Sequence, residues 1–296
     1  MKALTDSIVA LVTPFKENLE IDYNAFVNLI KFHLQNGTSG IVVSGTTGES
    51  ATLTSEEKLE LLKITIDTVK KNNSSIPVVF NSGSNNTASS IVLSKEAEKL
   101  GADWLLLVAP YYNKPTQEGI YQHFKAIAQS VKLPISLYNV PGRTSSDISV
   151  ETVIRLSKIE NILAIKDATP FLNRPLEIAL GAKDGFNQLS GEDATTLAYL
   201  ASGGRGAISV TANIAPKACQ EVHELWKSGK LEQALQNHLK LLPLHNAMFV
   251  ESNPVPVKYA LFLMGKCNYY VRQPLAELSN SNKLLIKQVL QNLKLI

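Results

Sequence analysis

One lysine, Lys166, follows an apolar run of the kind that forms a strand buried on both faces. The run is Ile162-Leu-Ala-Ile165, and Asp167 comes directly after the lysine. Four apolar residues, two of them β-branched, are typical of a parallel strand. If Lys166 points inward, desolvation lowers its pKa, and the free amine can attack a carbonyl to form an imine, or Schiff base. The structural alternative is a lysine that ends a strand and extends to water.

A second candidate is the segment Gly45-Thr-Thr-Gly-Glu-Ser50, which follows another apolar run. Its two glycines allow the backbone to bend close to a ligand, and its two hydroxyls and free amides can bind a small anion such as a carboxylate. The segment lacks the lysine of a P-loop and the third glycine of a dinucleotide fingerprint, which argues against phosphate or NAD binding. Taken alone, it also fits an ordinary tight loop.

Aromatic residues mark two further motifs. In Tyr138-Asn-Val-Pro-Gly-Arg-Thr144, the phenol of Tyr138 can relay protons, and Arg143 can hold a carboxylate and ease the phenol toward ionisation. A packed tyrosine with a hydrogen-bonded hydroxyl is the alternative. The other motif is Pro110-Tyr-Tyr-Asn113, whose adjacent rings cannot both face the same way. One of these two rings could therefore reach a partner subunit.

Two short motifs complete the candidates. In Ser190-Gly-Glu-Asp193, the glycine would let a ligand approach the backbone. In Ala207-Ile-Ser-Val210, the isoleucine could supply a backbone carbonyl or an apolar wall. A tight turn and a core strand explain these motifs equally well.

Short β-rich runs alternate with amphipathic segments at nearly even spacing. The predicted strands cover residues 8–13, 40–44, 77–81, 104–109, 134–139, 162–167, 186–190 and 206–210. Eight such units predict an α/β fold of the (β/α)8, or TIM, barrel type, with a doubly wound sheet as the less regular rival. Active sites of these barrels lie at the C-terminal ends of the strands, where the candidate motifs fall.

Helix signals define the rest of the chain. Thr54-Ser-Glu-Glu57 has the spacing of a capping box, and Asp22, Ser149 and Asp193 are predicted N-caps. After the eighth predicted helix, residues 216–227, three more helices are predicted over residues 230–250, 255–264 and 282–293. We therefore predict a catalytic barrel over residues 1–228 and a three-helix extension over residues 229–296.

Composition narrows the class of protein. The 29 basic and 26 acidic residues are scattered, so nucleic acid is not an expected partner. The five histidines lack metal-ligand spacing, and we expect no metal. Cys219 and Cys267 form no CxxC, the N-terminus carries an acid where a secretory signal would be apolar, and the longest apolar run, Trp104–Pro110, is too short for a bilayer. We expect a cytoplasmic protein without membrane association.

The motifs together resemble a known family. The chain is similar to the pyruvate-dependent class I aldolases, a family that includes N-acetylneuraminate lyase and dihydrodipicolinate synthase. The similarity is carried by six motifs in this order: GTTGES, PYYN, YNVPGRT, AIKDAT, SGED and GAISVTANIAP. The resemblance runs almost end to end, and the arginine of YNVPGRT favours the dihydrodipicolinate synthase branch. It implies a lyase that condenses pyruvate with L-aspartate 4-semialdehyde to 4-hydroxy-tetrahydrodipicolinate, in the diaminopimelate route of lysine biosynthesis. No external cofactor is implied, because the protonated imine is the electron sink.

The resemblance also implies which residues carry out the chemistry. Lys166 would form the imine with pyruvate. Tyr138, Thr46 and Tyr112 would relay protons to solvent, with Tyr112 supplied by the adjacent subunit. This shared tyrosine implies at least a dimer, and family members of this type are typically homotetramers built as dimers of dimers.

Further residues are implied in substrate binding. Thr47 would hold the pyruvate carboxylate, and Arg143 would serve the carboxylate end of the semialdehyde at the entrance. Gly191 and Ile208 would line the pocket.

Many bacterial members of the family bind lysine at the dimer interface as a feedback inhibitor. The matching positions in this chain are Ser50, Ala51, Ser55, Lys58, Asn85, Ser89 and Tyr111. Feedback-sensitive forms carry histidines in place of Ser55 and Lys58 and a glutamate in place of Ser89. A cation at Lys58 and a missing carboxylate should both weaken binding of the ligand's ammonium group, so we predict weak or absent inhibition.

Two alternatives remain at this point. A sister enzyme could use the same lysine on a sugar-derived 2-keto acid such as N-acetylneuraminate or 2-keto-3-deoxygluconate. A non-catalytic sensor could keep the pocket only to bind a keto acid. The presence of Lys166, Tyr138 and Thr46 argues against the sensor.

Overall fold

The computed structural model describes residues 2–72 and 74–296. Eight strands form a closed barrel in chain order, and the paired strands run parallel, so the predicted (β/α)8 fold is confirmed. The strands are β1 Asp6–Ala10, β2 Gly40–Val43, β3 Val78–Asn81, β4 Trp104–Val108, β5 Ile135–Asn139, β6 Ile162–Asp167, β7 Asn187–Ser190 and β8 Gly206–Ser209.

Burial explains why these segments form strands. Leu105, Leu137 and Ile165, on three successive strands, are fully buried, as expected for a parallel sheet covered on both faces. Seven strands begin and end within one residue of their predicted limits. The first was predicted over residues 8–13 and lies instead at Asp6–Ala10. The regular ladder ends early there because the Val12 amide donates to the side chain of Asn213 rather than to a neighbouring strand.

The helices alternate with the strands and continue beyond them. They are α1 Tyr23–Gln35, α2 Ser55–Lys71, α3 Thr87–Leu100, α4 Gln117–Ser130, α5 Pro141–Thr144, α6 Val150–Ser157, α7 Arg174–Gly181, α8 Thr196–Ala201, α9 Pro216–Lys227, α10 Leu231–Ala247, α11 Val255–Leu263 and α12 Asn280–Asn292, with a 3-10 turn at Thr211–Asn213. The ninth helix has its predicted limits, and the last three lie within three residues of theirs. Across the described residues, no helix has both the length and the apolar character needed to cross a membrane.

Three of the predicted helix caps are confirmed. The Thr54 hydroxyl accepts from the Glu57 amide, and the Glu57 carboxylate accepts from the Thr54 amide, which closes the capping box. Asp22 and Ser149 cap α1 and α6 with their side chains. The prediction for Asp193 is wrong. Helix α8 begins after Thr195, and Asp193 accepts from the Thr196 amide through its backbone carbonyl instead.

The chain divides into two compact units. The first consists of Pro77–Ile208 with the N-terminal residues up to Thr5, and it holds β3 to β7 and most of β8. The second consists of Asp6–Ile76 and Ser209–Ile296. Within the second unit, α9 packs against α10, and α12 packs against both α10 and α11. The division between residues 228 and 229 inferred from the sequence stays a prediction.

Candidate active site

In the first unit, two of the candidate side chains lie together. Strands β5 and β6 pair in a register that sets Tyr138 opposite Lys166. The Lys166 Nζ lies 4.2 Å from the centroid of the Tyr138 ring. Only 6% of Lys166 and 5% of Tyr138 is exposed, so the lysine does not extend to water. The fold thus buries a primary amine beside a phenol.

The surroundings of this amine contain little compensating charge. In the part of the chain that the structure describes, no carboxylate lies within ion-pair distance of Lys166. Glu192, just after β7, is close enough to interact with it electrostatically. Burial raises the pKa of Glu192, and the charge of Lys166 opposes that shift. The amine is therefore buried without a direct anionic partner.

Gly191 leaves the space that the Lys166 side chain occupies. A Cβ at this position would lie 2.9 Å from Lys166 Cε and 2.7 Å from Ala168 Cβ. The Gly191 amide also donates to the Asp167 carbonyl at 2.7 Å, which holds the backbone against the end of β6. Any larger residue would therefore require Lys166 or Ala168 to move. Ile208, on β8, is 1% exposed and lies in the core of its strand.

A polar network, buried at Asp167 and Asn139 and exposed at Asp147, adjoins Tyr138 and Lys166 in the chain. Asp167 follows Lys166 on β6 and accepts from Arg174 Nε at 2.9 Å. Arg174 also donates to the Ile148 carbonyl at 2.8 Å and to Asp147 at 3.3 Å. Asp147 in turn accepts from Asn139, the residue after Tyr138, at 2.8 Å. The network therefore links Asn139 at the end of β5 to Asp167 at the end of β6. These two residues directly follow Tyr138 and Lys166.

Arg143 lies on the short helix α5, which follows β5 directly. Its side chain is exposed. The helix ends at Ser145, which adopts a left-handed conformation with φ 54°. The Thr144 hydroxyl donates to the Ser146 carbonyl at 2.7 Å and stabilises this turn. An exposed guanidinium is thus held on a short, ordered segment just after Tyr138.

The two adjacent tyrosines are both exposed, Tyr112 far more than Tyr111. Tyr111 is 40% exposed and Tyr112 is 88% exposed, and the backbone of Tyr112 is left-handed with φ 72°. Asn113 donates to the Asn85 carbonyl at 3.0 Å, so the PYYN loop lies against Asn85. In the single chain, the Tyr112 ring therefore makes little contact with its own unit.

In the second unit, the loop after β2 forms a series of tight turns. The Gly48 amide donates to the Gly45 carbonyl, and the Glu49 amide donates to the Thr46 carbonyl, both at 3.0 Å. A Cβ at Gly48 would lie 3.1 Å from the Leu11 carbonyl oxygen, so this glycine permits close backbone packing. Within the loop, Thr46 is half-buried, whereas only 2% of Thr47 is exposed. The loop is compact and presents two threonines in succession.

Residues far along the chain hold this loop, and the sequence interpretation missed them. Asn253 donates to the Thr47 hydroxyl at 3.0 Å. Lys258 donates to Glu49 at 2.6 Å, and the Arg272 amide donates to the other oxygen of Glu49 at 3.0 Å. One signal was available, because Lys258 is the single charged residue in the apolar helix α11. The pairing itself could not be inferred from spacing.

The positions that match the lysine-binding residues fall in both units. In the second unit, Ser50 is half-buried and Ala51 is exposed. Ser55 is exposed at the start of α2, and burial lowers the pKa of Lys58 one turn later. In the first unit, Ser89 is exposed near the start of α3. Asn85 and Tyr111 belong to the loop contact described above.

Within residues 2–72 and 74–296, no group of three or more His, Cys, Asp or Glu side chains is arranged to hold a metal ion. Both cysteines are free, with Cys219 buried and Cys267 partly buried. Burial raises the pKa of the Cys267 thiol to about 12.

The chain matches known proteins along almost its entire length. Residues 3–293 match the model of the dihydrodipicolinate synthetase family. A 4-hydroxy-tetrahydrodipicolinate synthase of Thermodesulfovibrio yellowstonii is 50% identical over 290 residues, which are 98% of this chain and 98% of that protein.

Solved structures agree with the sequence comparison. A chloride-inhibited dihydrodipicolinate synthase from Acinetobacter baumannii, complexed with pyruvate, is 43% identical with a TM-score of 0.96, covering 99% of this chain and 100% of that one. The enzyme from Cyanidioschyzon merolae with lysine bound is 38% identical with a TM-score of 0.96, covering 99% of both chains.

Proposed function

The chain belongs to the dihydrodipicolinate synthetase family, and from this premise we propose that it condenses pyruvate with L-aspartate 4-semialdehyde through an imine on Lys166. The product is 4-hydroxy-tetrahydrodipicolinate, the compound for which its relatives are named as synthases. The A. baumannii relative complexed with pyruvate supports pyruvate as the first substrate. The proposal identifies the protein as a lyase of the class I aldolase type.

One observation carries the proposal. The Lys166 amine is buried at the end of β6, 4.2 Å from the Tyr138 ring centroid, and no carboxylate among the described residues holds it in an ion pair. A primary amine held in the interior beside a phenol, without an ion-pair partner among the described residues, is placed to attack a ketone and form an imine.

The reaction begins with attack of Lys166 Nζ on the keto carbon of pyruvate. Loss of water gives a protonated imine, which withdraws electrons and acidifies the methyl group. Loss of a methyl proton gives an enamine, whose carbon attacks the aldehyde carbon of the semialdehyde while the aldehyde oxygen gains a proton. The amine of the second substrate then attacks the imine carbon, expels the Lys166 amine and closes the ring.

Proton transfers in these steps are assigned to Tyr138, Thr46 and Tyr112. Tyr138 is the member of this relay beside Lys166, as its ring position supports. A phenol can act as general acid or base at each proton transfer. Tyr112 is assigned to the site of an adjacent subunit, which is supported by its 88% exposure in its own chain.

The remaining roles concern substrate binding. Thr47 binds the pyruvate carboxylate, and Arg143 binds the carboxylate end of the semialdehyde at the entrance. Gly191 and Ile208 form the wall, as supported by the close approach of Gly191 to the Lys166 side chain. These groups bind and orient the substrates, so they act chiefly on KM and on the geometry of attack.

Because Tyr112 is assigned to the site of an adjacent subunit, the proposed mechanism requires an oligomer. We propose a homotetramer built as a dimer of dimers, in the cytoplasm. Analytical ultracentrifugation of the purified protein should give the tetramer mass. Tyr112→Phe should lower activity without changing that mass, because the substitution removes only the hydroxyl.

Borohydride trapping tests the central step. Reduction in the presence of pyruvate should attach a stable adduct to Lys166, located by peptide mass mapping. The buried Lys258 is the matched control lysine and should remain unmodified, because its amine is paired with Glu49. Recovery of unlabelled Lys166 after complete reduction would overturn the mechanism.

Substrate assays test the choice within the family. Aspartate semialdehyde should support rapid turnover, whereas N-acetylneuraminate and 2-keto-3-deoxygluconate should not. Arg143→Ala should impair condensation while leaving imine formation with pyruvate intact, because this arginine is assigned to the second substrate. Unchanged condensation in the variant would contradict that assignment.

A further inference from the structure

The Thr47 hydroxyl receives a hydrogen bond from a residue 206 positions further along the chain. Asn253 Nδ2 donates to Thr47 Oγ1 at 3.0 Å, and both residues are at least nine-tenths buried. This is a bond between side chains, so it fixes the orientation of the hydroxyl rather than the path of the backbone. Asn253 lies between α10 and α11, outside every motif that the sequence pattern singled out for catalysis.

This bond determines how the hydroxyl can act. A threonine hydroxyl carries one hydrogen and two lone pairs, and the Asn253 amide uses a lone pair. Across residues 2–72 and 74–296, the structure shows no acceptor for the Thr47 hydroxyl hydrogen. A carboxylate at neutral pH accepts hydrogen bonds and donates none. The geometry thus leaves the Thr47 hydroxyl free to donate a hydrogen bond, as an anionic substrate requires.

We propose that Asn253 is a positioning residue for the pyruvate carboxylate: it occupies the acceptor side of Thr47 so that the hydroxyl hydrogen is directed at the substrate. The inference rests on the proposed function, in which Thr47 binds that carboxylate. It adds a residue from the C-terminal region to the machinery for recognising the keto acid.

A second tie between the same segments keeps Asn253 in place. Lys258, on α11, donates to Glu49 at 2.6 Å, and neither side chain is more than 1% exposed. Glu49 lies two residues after Thr47 and has a left-handed backbone with φ 56°. Because the ion pair holds Glu49 and the amide holds Thr47, helix α11 and the preceding turn define the loop at two points.

The substitution Asn253→Asp tests the polarity directly. Its carboxylate has nearly the same shape, but it would accept the Thr47 hydrogen and add a negative charge. We expect KM for pyruvate to rise about tenfold or more and kcat to change less than about threefold. Asn253→Ala removes the tie without reversing it and should raise KM by a smaller factor. Asn292→Asp on the exposed end of α12 is the matched control and should leave both constants unchanged.

A double-mutant cycle separates positioning from a general effect on folding. In a Thr47→Val background there is no hydroxyl to orient, so Asn253→Ala should raise KM by less than about twofold further. An equal rise in both backgrounds would contradict the inference. This cycle also decides the question if Asn253→Asp fails to fold.

The trapping experiment distinguishes a failure of the proposed function from a failure of the role proposed for Asn253. If borohydride fails to trap pyruvate on wild-type Lys166, the proposed function is wrong. If the wild type is trapped normally and Asn253→Asp is trapped with the same dependence on pyruvate concentration, only the role of Asn253 is wrong. A rise in the half-saturating pyruvate concentration in the variant supports both.

Discussion

Two buried lysines in this protein have similar surroundings but differ in whether a carboxylate pairs with them. Lys166 is 6% exposed and Lys258 is fully buried, and each amine lies 4.2 Å from the centroid of an aromatic ring, Tyr138 or Phe15. Lys258 pairs with Glu49 at 2.6 Å, whereas no carboxylate of the described chain pairs with Lys166. Burial and a ring contact are therefore common to both lysines, whereas of the two only Lys258 is in an ion pair among the described residues.

The difference has a chemical consequence. Burial lowers the pKa of Lys258, and Glu49 opposes this effect by stabilising the ammonium form. An ammonium has no lone pair with which to attack a ketone, so Lys258 is suited to holding a loop. No carboxylate of the described residues holds Lys166 in an ion pair, so its amine is available to form an imine.

The carboxylate next to Lys166 in sequence is directed elsewhere. Asp167 follows the lysine, and successive side chains of a strand point to opposite faces. Its carboxylate pairs with Arg174 at 2.9 Å and also accepts from the Thr169 amide. Arg174 thus pairs with the acid that follows Lys166 in sequence, and this carboxylate is directed away from the lysine.

The largest expected effect comes from changing Lys166, the proposed nucleophile. Lys166→Arg keeps the charge and much of the bulk but cannot form the imine. We expect kcat to fall on the order of 10⁴-fold, with no adduct on borohydride reduction. Lys258→Arg is the matched substitution and should retain imine formation. Residual turnover near the wild-type rate in Lys166→Arg would remove the distinction between the lysines.

Breaking the other pair should affect stability rather than chemistry. Lys258→Met leaves Glu49 buried without its cation, and we expect the free energy of unfolding to fall by about 3–5 kcal/mol. Urea denaturation measures this change. The double variant Glu49→Gln/Lys258→Met should recover a large part of the loss, because no charge is then left unpaired. A single variant as stable as the wild type would show that the pair contributes nothing.

A smaller effect is expected from the network behind Lys166. Arg174→Met leaves the carboxylates of Asp167 and Asp147 uncompensated and loosens the link between β5 and β6. We expect kcat to fall about 10- to 100-fold with KM for pyruvate nearly unchanged, because the reacting groups shift by a fraction of an ångström. Adding Asp167→Asn should restore part of the rate. If KM rises as much as kcat falls, the network acts on binding instead.

The smallest effect concerns Lys58, a third lysine. Burial lowers the pKa of this residue, and the family resemblance implies a histidine at its position in feedback-sensitive members. Initial-rate assays should show little change with submillimolar lysine, because like charges weaken binding of the ligand's ammonium group. Strong inhibition at that concentration would refute the prediction. If the prediction holds, the Lys58→His variant should be more sensitive to inhibition by lysine than the wild type.

Local sequence predicted the elements well. The eight strand runs, the capping box at Thr54 and the caps at Asp22 and Ser149 were all readable, because each depends on residues a few positions apart. The missed cap at Asp193 and the early end of β1 have different causes. At Asp193 the backbone carbonyl, rather than the side chain, accepts from the Thr196 amide, whereas the Val12 amide donates to Asn213, 201 residues further along the chain.

By itself, the sequence determined the barrel, the order of its motifs and the place of Lys166 at the end of a buried strand. Only the tertiary structure decided the partners: Asn253 for Thr47, Lys258 for Glu49 and Arg174 for Asp167. The first two pairs are 206 and 209 residues apart in the chain. Periodicity indicates which face of an element is buried, but it carries no information about which buried charges pair with each other. That pairing distinguishes Lys258, which is held by Glu49, from Lys166.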